Sequence, residues 1–268
     1  MARGPTPAEI FDRAVDEGQR RLDQSLLELV STSFIAGFTI VFGVVALGIV
    51  EAIVHPRFGD VSRIAGSLAF GIGLMFLIAG RTELFNENFS DPTAAAIDGS
   101  GSTDRSRSQV LWKLVRLWAV TFVFNFVGGG LFALVFSVEG VLPPGTAESL
   151  VTFAEETTHK SAWAWFADAI AGGALVSLLS FLLAAVESSG SRLVMAYVVG
   201  FLLALGPFSH VVVTALHVFF GILFGANIGF VALAEMIGIV TAGNFVGGLG
   251  LVTLTHVAQA KGANESSD

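Results

Sequence analysis

Asn125-Phe126-Val127-Gly128-Gly129 occurs again as Asn244-Phe245-Val246-Gly247-Gly248, and both copies lie inside long apolar stretches. A five-residue identity at such positions suggests that one half of the chain duplicates the other. Apolar residues make up 53% of the sequence, and long runs carry no charge. Runs of roughly 18 or more apolar residues are long enough to cross the hydrocarbon core of a bilayer as helices. They cover approximately 30–53, 62–80, 109–137, 163–186, 192–225 and 229–257, and the fifth is long enough to be two shorter pieces. A water-soluble chain would have to bury all of these, and the polar remainder could not cover such a core.

The pentapeptides fall in the third and sixth stretches, and Ala69 and Gly73 of the second match Ala196 and Gly200 of the fifth. An Ile-Ala-Gly match between Ile35 and Ile170 carries little weight, because the tripeptide also occurs at Ile64 and Ile78. Three spans per half is an odd number, so the two copies would lie in opposite orientations across the membrane. The expected fold is therefore all-α: six transmembrane helices in two inverted three-helix repeats. The expected organisation is an amphipathic segment 1–29, a channel domain 30–258 (repeats 30–137 and 163–258) and a disordered tail 259–268.

Thr6-Pro7-Ala8-Glu9 reads as a capping box with proline at the first helical position, opening an amphipathic helix over 6–29. Phe11, Val15, Leu22, Leu26 and Leu29 would form its apolar stripe. This start is too polar for a cleavable signal peptide. Residues 98–108 read as a flexible polar loop, and 138–161 as a longer acidic loop turning at Pro143-Pro144-Gly145. Basic residues concentrate in the N-terminal segment (Arg3, Arg13, Arg20, Arg21) and the 98–116 region (Arg105, Arg107, Lys113, Arg116), with Arg192 and Lys261 beyond. With six spans all of these share one side, which predicts a plasma-membrane protein with both termini cytoplasmic.

Two spans are interrupted by polar residues. The second gives way at Gly80 to Arg81-Thr82-Glu83-Leu84-Phe85-Asn86-Glu87-Asn88, and the fifth breaks at Gly206-Pro207-Phe208-Ser209-His210. Glycine and proline disrupt helical hydrogen bonding, and free backbone polar groups at membrane depth survive only where protein or water surrounds them. Broken helices at corresponding points of two halves point to a binding site. Asn125 and Asn244 sit among small residues and are expected at helix contacts, because an asparagine amide in lipid needs a partner. Cysteine is absent, so disulfides and thiolate metal sites are excluded and no cofactor is expected. No metal-ligand spacing, serine elbow, phosphate loop or basic patch argues for an enzyme or a nucleic-acid binder.

Phe34-Ile-Ala-Gly-Phe-Thr-Ile-Val-Phe-Gly43, the break with Glu83-Leu84-Phe85, the break ending at His210 and the paired pentapeptides occur in this order over residues 29–258. In order and spacing they resemble the formate/nitrite transporter family. The resemblance implies an aquaporin-like fold with one pore per protomer, a homopentamer in the lipid bilayer, and passage of a small monovalent anion or its weak acid with a proton. Formate, nitrite and hydrosulfide are of this class. It also implies that His210 projects into the pore. An imidazole can donate a proton or hydrogen bond to an anion, relieving the cost of carrying its charge through an apolar constriction. Phe70, Leu74, Leu84 and Leu203 match the family's barrier residues.

The chain departs from the family at several pore positions. Asn86 stands where a threonine is usual, Glu87 where glycine or serine is usual, Ser209 where glutamate precedes the histidine, and Thr214 where an asparagine follows it. The span-four asparagine has no match in Ile170–Val176. Glu83 matches the family's glutamate and is expected to support the first break by accepting from backbone N–H groups. Glu87 would repel an anion unless Arg81 or a nest of backbone N–H groups neutralises it, so either it points away from the pore or the chain moves something else. His217, two turns beyond His210, could share a face with Thr214. A neutral-solute pore and a membrane scaffold or sensor without transport both stay open, the latter supported by a closed, fully packed protomer axis.

Overall fold

The computed structural model describes residues 4–98 and 106–265, without the side chains of residues 261 and 263–265. Among these residues the chain is helical, with no strand. The helices are α1 (Pro7–Leu22), α2 (Leu26–Phe58), α3 (Val61–Gly80), α4 (Asp91–Asp98), α5 (Arg107–Phe136), α6 (Thr146–Thr158), α7 (Ala162–Ala185), α8 (Ser189–Leu205), α9 (Val211–Leu223), α10 (Phe230–Phe245) and α11 (Leu254–Glu265). A 3₁₀ turn, Asn86–Asn88, precedes α4, and a π-helical segment, Val246–Thr253, joins α10 to α11.

Five continuous segments are long and apolar enough to cross a bilayer: Leu26–Phe58, Val61–Gly80, Arg107–Phe136, Ala162–Ala185 and Phe230–Ala260. The apolar stretch 192–225 divides, as its length allowed, into α8 and α9 of 17 and 13 residues. At about 1.5 Å per residue α9 covers only about 20 Å, short of the roughly 30 Å hydrocarbon core.

The N-terminal helix forms with its capping box. The Thr6 hydroxyl accepts from the Glu9 N–H, and the Glu9 carboxylate accepts from the Thr6 N–H. It ends earlier than expected. Asp23 closes α1, and Ser25 opens α2 by accepting from the Glu28 N–H, so 6–29 holds two helix segments. Phe11, Val15 and Leu22 are buried beneath α1 with Ala94, Ala95 and Leu117, whereas Leu26 is exposed. Most of the 98–108 loop lies outside the described residues. From Ser106 onward, a second capping box starts α5. The acidic loop 138–161 contains α6, which packs on α9 and α2. The tail expected to be disordered from 259 continues helical to Glu265, with 266–268 outside the described residues.

The paired pentapeptides make the same contact twice. A Cβ at Gly128 would fall 2.1 Å from the Phe34 carbonyl oxygen, and one at Gly247 would fall 1.9 Å from that of Ile170. Only glycine admits this approach of α5 to α2 and of the π segment to α7. In lipid, helices gain nothing from expelling water from each other, so such close backbone packing is what holds them. These contacts pair Phe34 with Ile170, one residue out of step with the Ile-Ala-Gly match in the sequence.

Candidate functional site

The two breaks are stabilised by the two pentapeptide asparagines. Asn125 Oδ1 accepts from the Phe85 N–H (2.8 Å), while its Nδ2 donates to the carbonyls of Ser33 (2.8 Å) and Glu83 (3.0 Å). Asn244 Oδ1 accepts from the Val211 N–H (2.9 Å), and its Nδ2 donates to the carbonyls of Ala169 (2.7 Å) and Ser209 (2.7 Å). Each side chain thus replaces the helical partners lost at one break and ties that break to a neighbouring helix. The sequence reading put both asparagines at helix contacts. Their larger role was signalled only by an amide in an apolar span, which must find donors and acceptors.

The first break begins at Arg81, which closes α3 in the left-handed region (φ 50°) and is exposed. Arg81 does not meet Glu87. The guanidinium that meets the Glu87 segment is that of Arg21 from α1, which donates to the Glu87 carbonyl (2.9 Å) and the Asn88 side chain (3.4 Å). It also lies 3.7 Å from the carboxylates of Glu83 and Asp91. Glu83 accepts from Arg20 and Gln24, both at 3.1 Å, so it ties α1 to the break rather than capping backbone N–H groups as expected. The Ser180 hydroxyl and the Trp118 indole donate to the carbonyls of Glu87 and Asn88. Asn86, expected in the pore, is fully buried and donates from Nδ2 to Asn244 Oδ1 (2.7 Å).

The second break ends at His210, the N-cap of α9. Its Nδ1 accepts from the Val213 N–H at a long 3.5 Å, and its Nε2 has no partner among the described residues. His210 lies at the floor of a cavity of about 740 Å³. The cavity runs from exposed Asp60, Arg63 and Glu148 at its rim to a buried part lined by Phe70, Leu203, Thr214 and His217. The structure therefore brings together His210, Ser209, Thr214, Phe70 and Leu203 of the expected pore residues. Leu74, Leu84, Asn86, Glu83, Glu87 and Arg81 lie outside this lining. The wall from α6, with Thr152 and Phe153, was hidden in what read as a loop.

The rim carries Glu51, Asp60, Glu148 and Glu156 against Arg63 and Lys160. Arg63 is held by Glu156 through both carboxylate oxygens (2.7 Å), and Lys160 by Asp168. The mouth is thus acidic, and its two cations are already paired.

Apolar spanning helices, two breaks held by asparagines and a cavity closing on a histidine define a multi-pass membrane protein of the transporter class. The model of one transporter family, described as formate/nitrite transporter, matches residues 8–258, and the chain belongs to that family. It is 23% identical over 253 residues to the inner membrane protein YfdC of Escherichia coli, covering 94% of this chain and 78% of that protein. It is also 23% identical to the formate channel BtFdhC of Bacillus thuringiensis, covering 94% of each. Among solved structures, an FNT family ion channel superposes with a TM-score of 0.77 at 20% identity, covering 92% of this chain and 97% of that one. A pentameric formate channel with formate bound superposes with a TM-score of 0.65 at 20% identity, covering 83% and 92%.

Proposed function

We propose that this protein is a channel for a small monovalent anion of the formate class, which crosses the apolar barrier as its neutral acid with a hydrogen bond donated by His210. In this reading six spans form two inverted three-helix halves, with one pore per protomer of a homopentamer. Both termini are cytoplasmic, so the 740 Å³ cavity is the outer vestibule. The duplicated asparagine and glycine contacts support the two-half architecture, and the pentameric formate channel supports the assembly and the solute.

The observation that carries the proposal is the orientation of His210. The Val213 N–H occupies its Nδ1 lone pair, so the neutral ring bears its hydrogen on Nε2, the nitrogen without a partner among the described residues. A donor at the end of a vestibule, flanked by Phe70 and Leu203, is suited to an oxygen of a small acid or anion. The acidic rim adds a second reason to favour the neutral acid, since it repels a free anion but not its protonated form.

Stopped-flow uptake into proteoliposomes with formate, nitrite, hydrosulfide and acetate over a pH series tests this. The unaltered protein should carry formate with its proton, and His210→Ala should change the rate and its pH dependence. Identical profiles for the two proteins would overturn the assignment.

A further inference from the structure

His217 lies two turns along α9 from His210, is 2% exposed and lines the same cavity. Its ring stacks on Phe153 (centroids 4.3 Å apart, planes at 28°) and lies 6.2 Å from the ring of Phe70. These aromatic contacts fix its plane. Its Nδ1 is 3.0 Å from the Val213 carbonyl oxygen, and its Nε2 has no partner among the described residues.

Val213 therefore sets both histidines. A carbonyl oxygen can only accept, so His217 Nδ1 must carry the hydrogen and the neutral ring presents a lone pair at Nε2. At His210 the backbone N–H can only donate, so Nδ1 accepts and Nε2 carries the hydrogen. Two imidazoles on one helix face thus expose opposite polarities to one cavity, an acceptor at His217 and a donor at His210. Thr214 lies on the same face between them, with a hydroxyl that can serve either way.

We propose that His217 is a second pore residue, an outer acceptor that takes a hydrogen bond from the O–H of the neutral acid before the solute reaches His210. The proposal rests on the weak-acid reading of the site and extends it to the choice between acid and anion. A protonated acid satisfies the Nε2 lone pair. A carboxylate presents only lone pairs to it and is repelled. Selection for the protonated form thus begins at His217, above the donor at His210. No bond is made or broken at this step, and the proton stays on the acid.

The test uses the full chain in proteoliposomes, with formate as the probe and internal acidification as the readout. His217→Phe keeps the stacked ring and removes the acceptor, and His217→Gln restores an acceptor oxygen. His217→Phe should slow formate-linked acidification about tenfold, the effect of losing one hydrogen bond to the permeating acid. His217→Gln should remain within about threefold of the unaltered protein. Parent-like acidification with His217→Phe would overturn the proposal. So would equal slowing by Phe and Gln in proteins that elute as the parent assembly, because that marks a packing role alone. If His210→Ala changes uptake while His217→Phe does not, only the role of His217 falls. If the unaltered protein carries no proton with formate, the weak-acid reading falls with it.

Discussion

Asn86 Nδ2 donates to Asn244 Oδ1 at 2.7 Å, the same oxygen that accepts the Val211 N–H at 2.9 Å. A side chain from the first break is thereby joined to the asparagine that supports the second. Among the described residues Asn125 bonds to Phe85, Ser33 and Glu83, all outside the second break. The reach of the Asn86 amide makes this connection. Asn86→Ala should lower stability by about 1 kcal/mol, the net worth of one neutral hydrogen bond, plus a contribution from the space left behind. Thermal unfolding of the detergent-solubilised protein measures it.

Asn244→Ala should cost more than Asn86→Ala. It removes the partners of the Val211 N–H and the Ser209 carbonyl together, and with them the bond that ties the break to the Ala169 carbonyl of α7. Buried backbone groups left unpaired cost about 1–3 kcal/mol each, so loss of the folded assembly is the expected outcome. Asn125→Ala should behave alike, and size-exclusion chromatography reads both. A change at Asn244 that leaves assembly and melting intact would refute the bracing role.

Gly247→Ala should prevent normal assembly, because the new methyl would fall 1.9 Å from the Ile170 carbonyl oxygen. Backbone, unlike the end of a flexible side chain, cannot move aside without separating the π segment from α7. Gly250→Ala meets nothing within 4 Å and should assemble as the parent does. Yield and elution of the two variants make the comparison.

Arg21→Gln should loosen α1 from the first break. Arg21 is 11% exposed in its side chain and lies among the carboxylates of Glu17, Glu83 and Asp91. Removing one partner of a buried charge cluster leaves the others uncompensated. Arg20→Gln should have a smaller effect, since its side chain is 38% exposed and solvent already screens it. Limited proteolysis of α1 should be several-fold faster for Arg21→Gln than for Arg20→Gln.

Acid should loosen the same helix. Burial acts to raise the Glu17 pKa, but the hydrogen bond and charge of Arg20 and the charge of Arg21 outweigh it and hold the carboxyl at about 2, against an ordinary 4.5. A depressed carboxyl contributes stability above its unfolded pKa and loses it as pH falls towards the folded value. Glu17 should therefore support α1 fully above about pH 5 and progressively less between about 4.5 and 2. Hydrogen exchange in α1 should accelerate over that window, and Glu17→Gln should remove this part of the change.

Much of the fold was legible because membrane helices leave a simple record. Spans 30–53, 62–80, 109–137 and 163–186 coincide with α2, α3, α5 and α7 within a few residues, since the length of an apolar run must match the bilayer. The broken fifth span was visible at Gly206-Pro207, and the capping box at Thr6-Glu9 appeared as read. α6 was missed because Glu148, Glu155 and Glu156 made 138–161 look like a solvated loop, although Leu150 and Ala154 on its other face are buried. The cation at the first break was sought in the adjacent Arg81, but the left-handed turn there directs that residue outward and Arg21 arrives from more than fifty positions earlier.

By itself the sequence determined the class of this protein: apolar lengths that require a bilayer, two interrupted spans, a duplicated Asn-Phe-Val-Gly-Gly, and a family resemblance that the match over residues 8–258 bears out. Those properties reside in composition and local order. Tertiary structure alone decided which polar groups meet. It sent Asn86 to Asn244 instead of the cavity, set Arg21 against the first break, and turned His210 and His217 to opposite polarity through one residue, Val213. The physical reason is that a buried polar atom must find a partner, and the geometry of the packed helices decides which one is within reach.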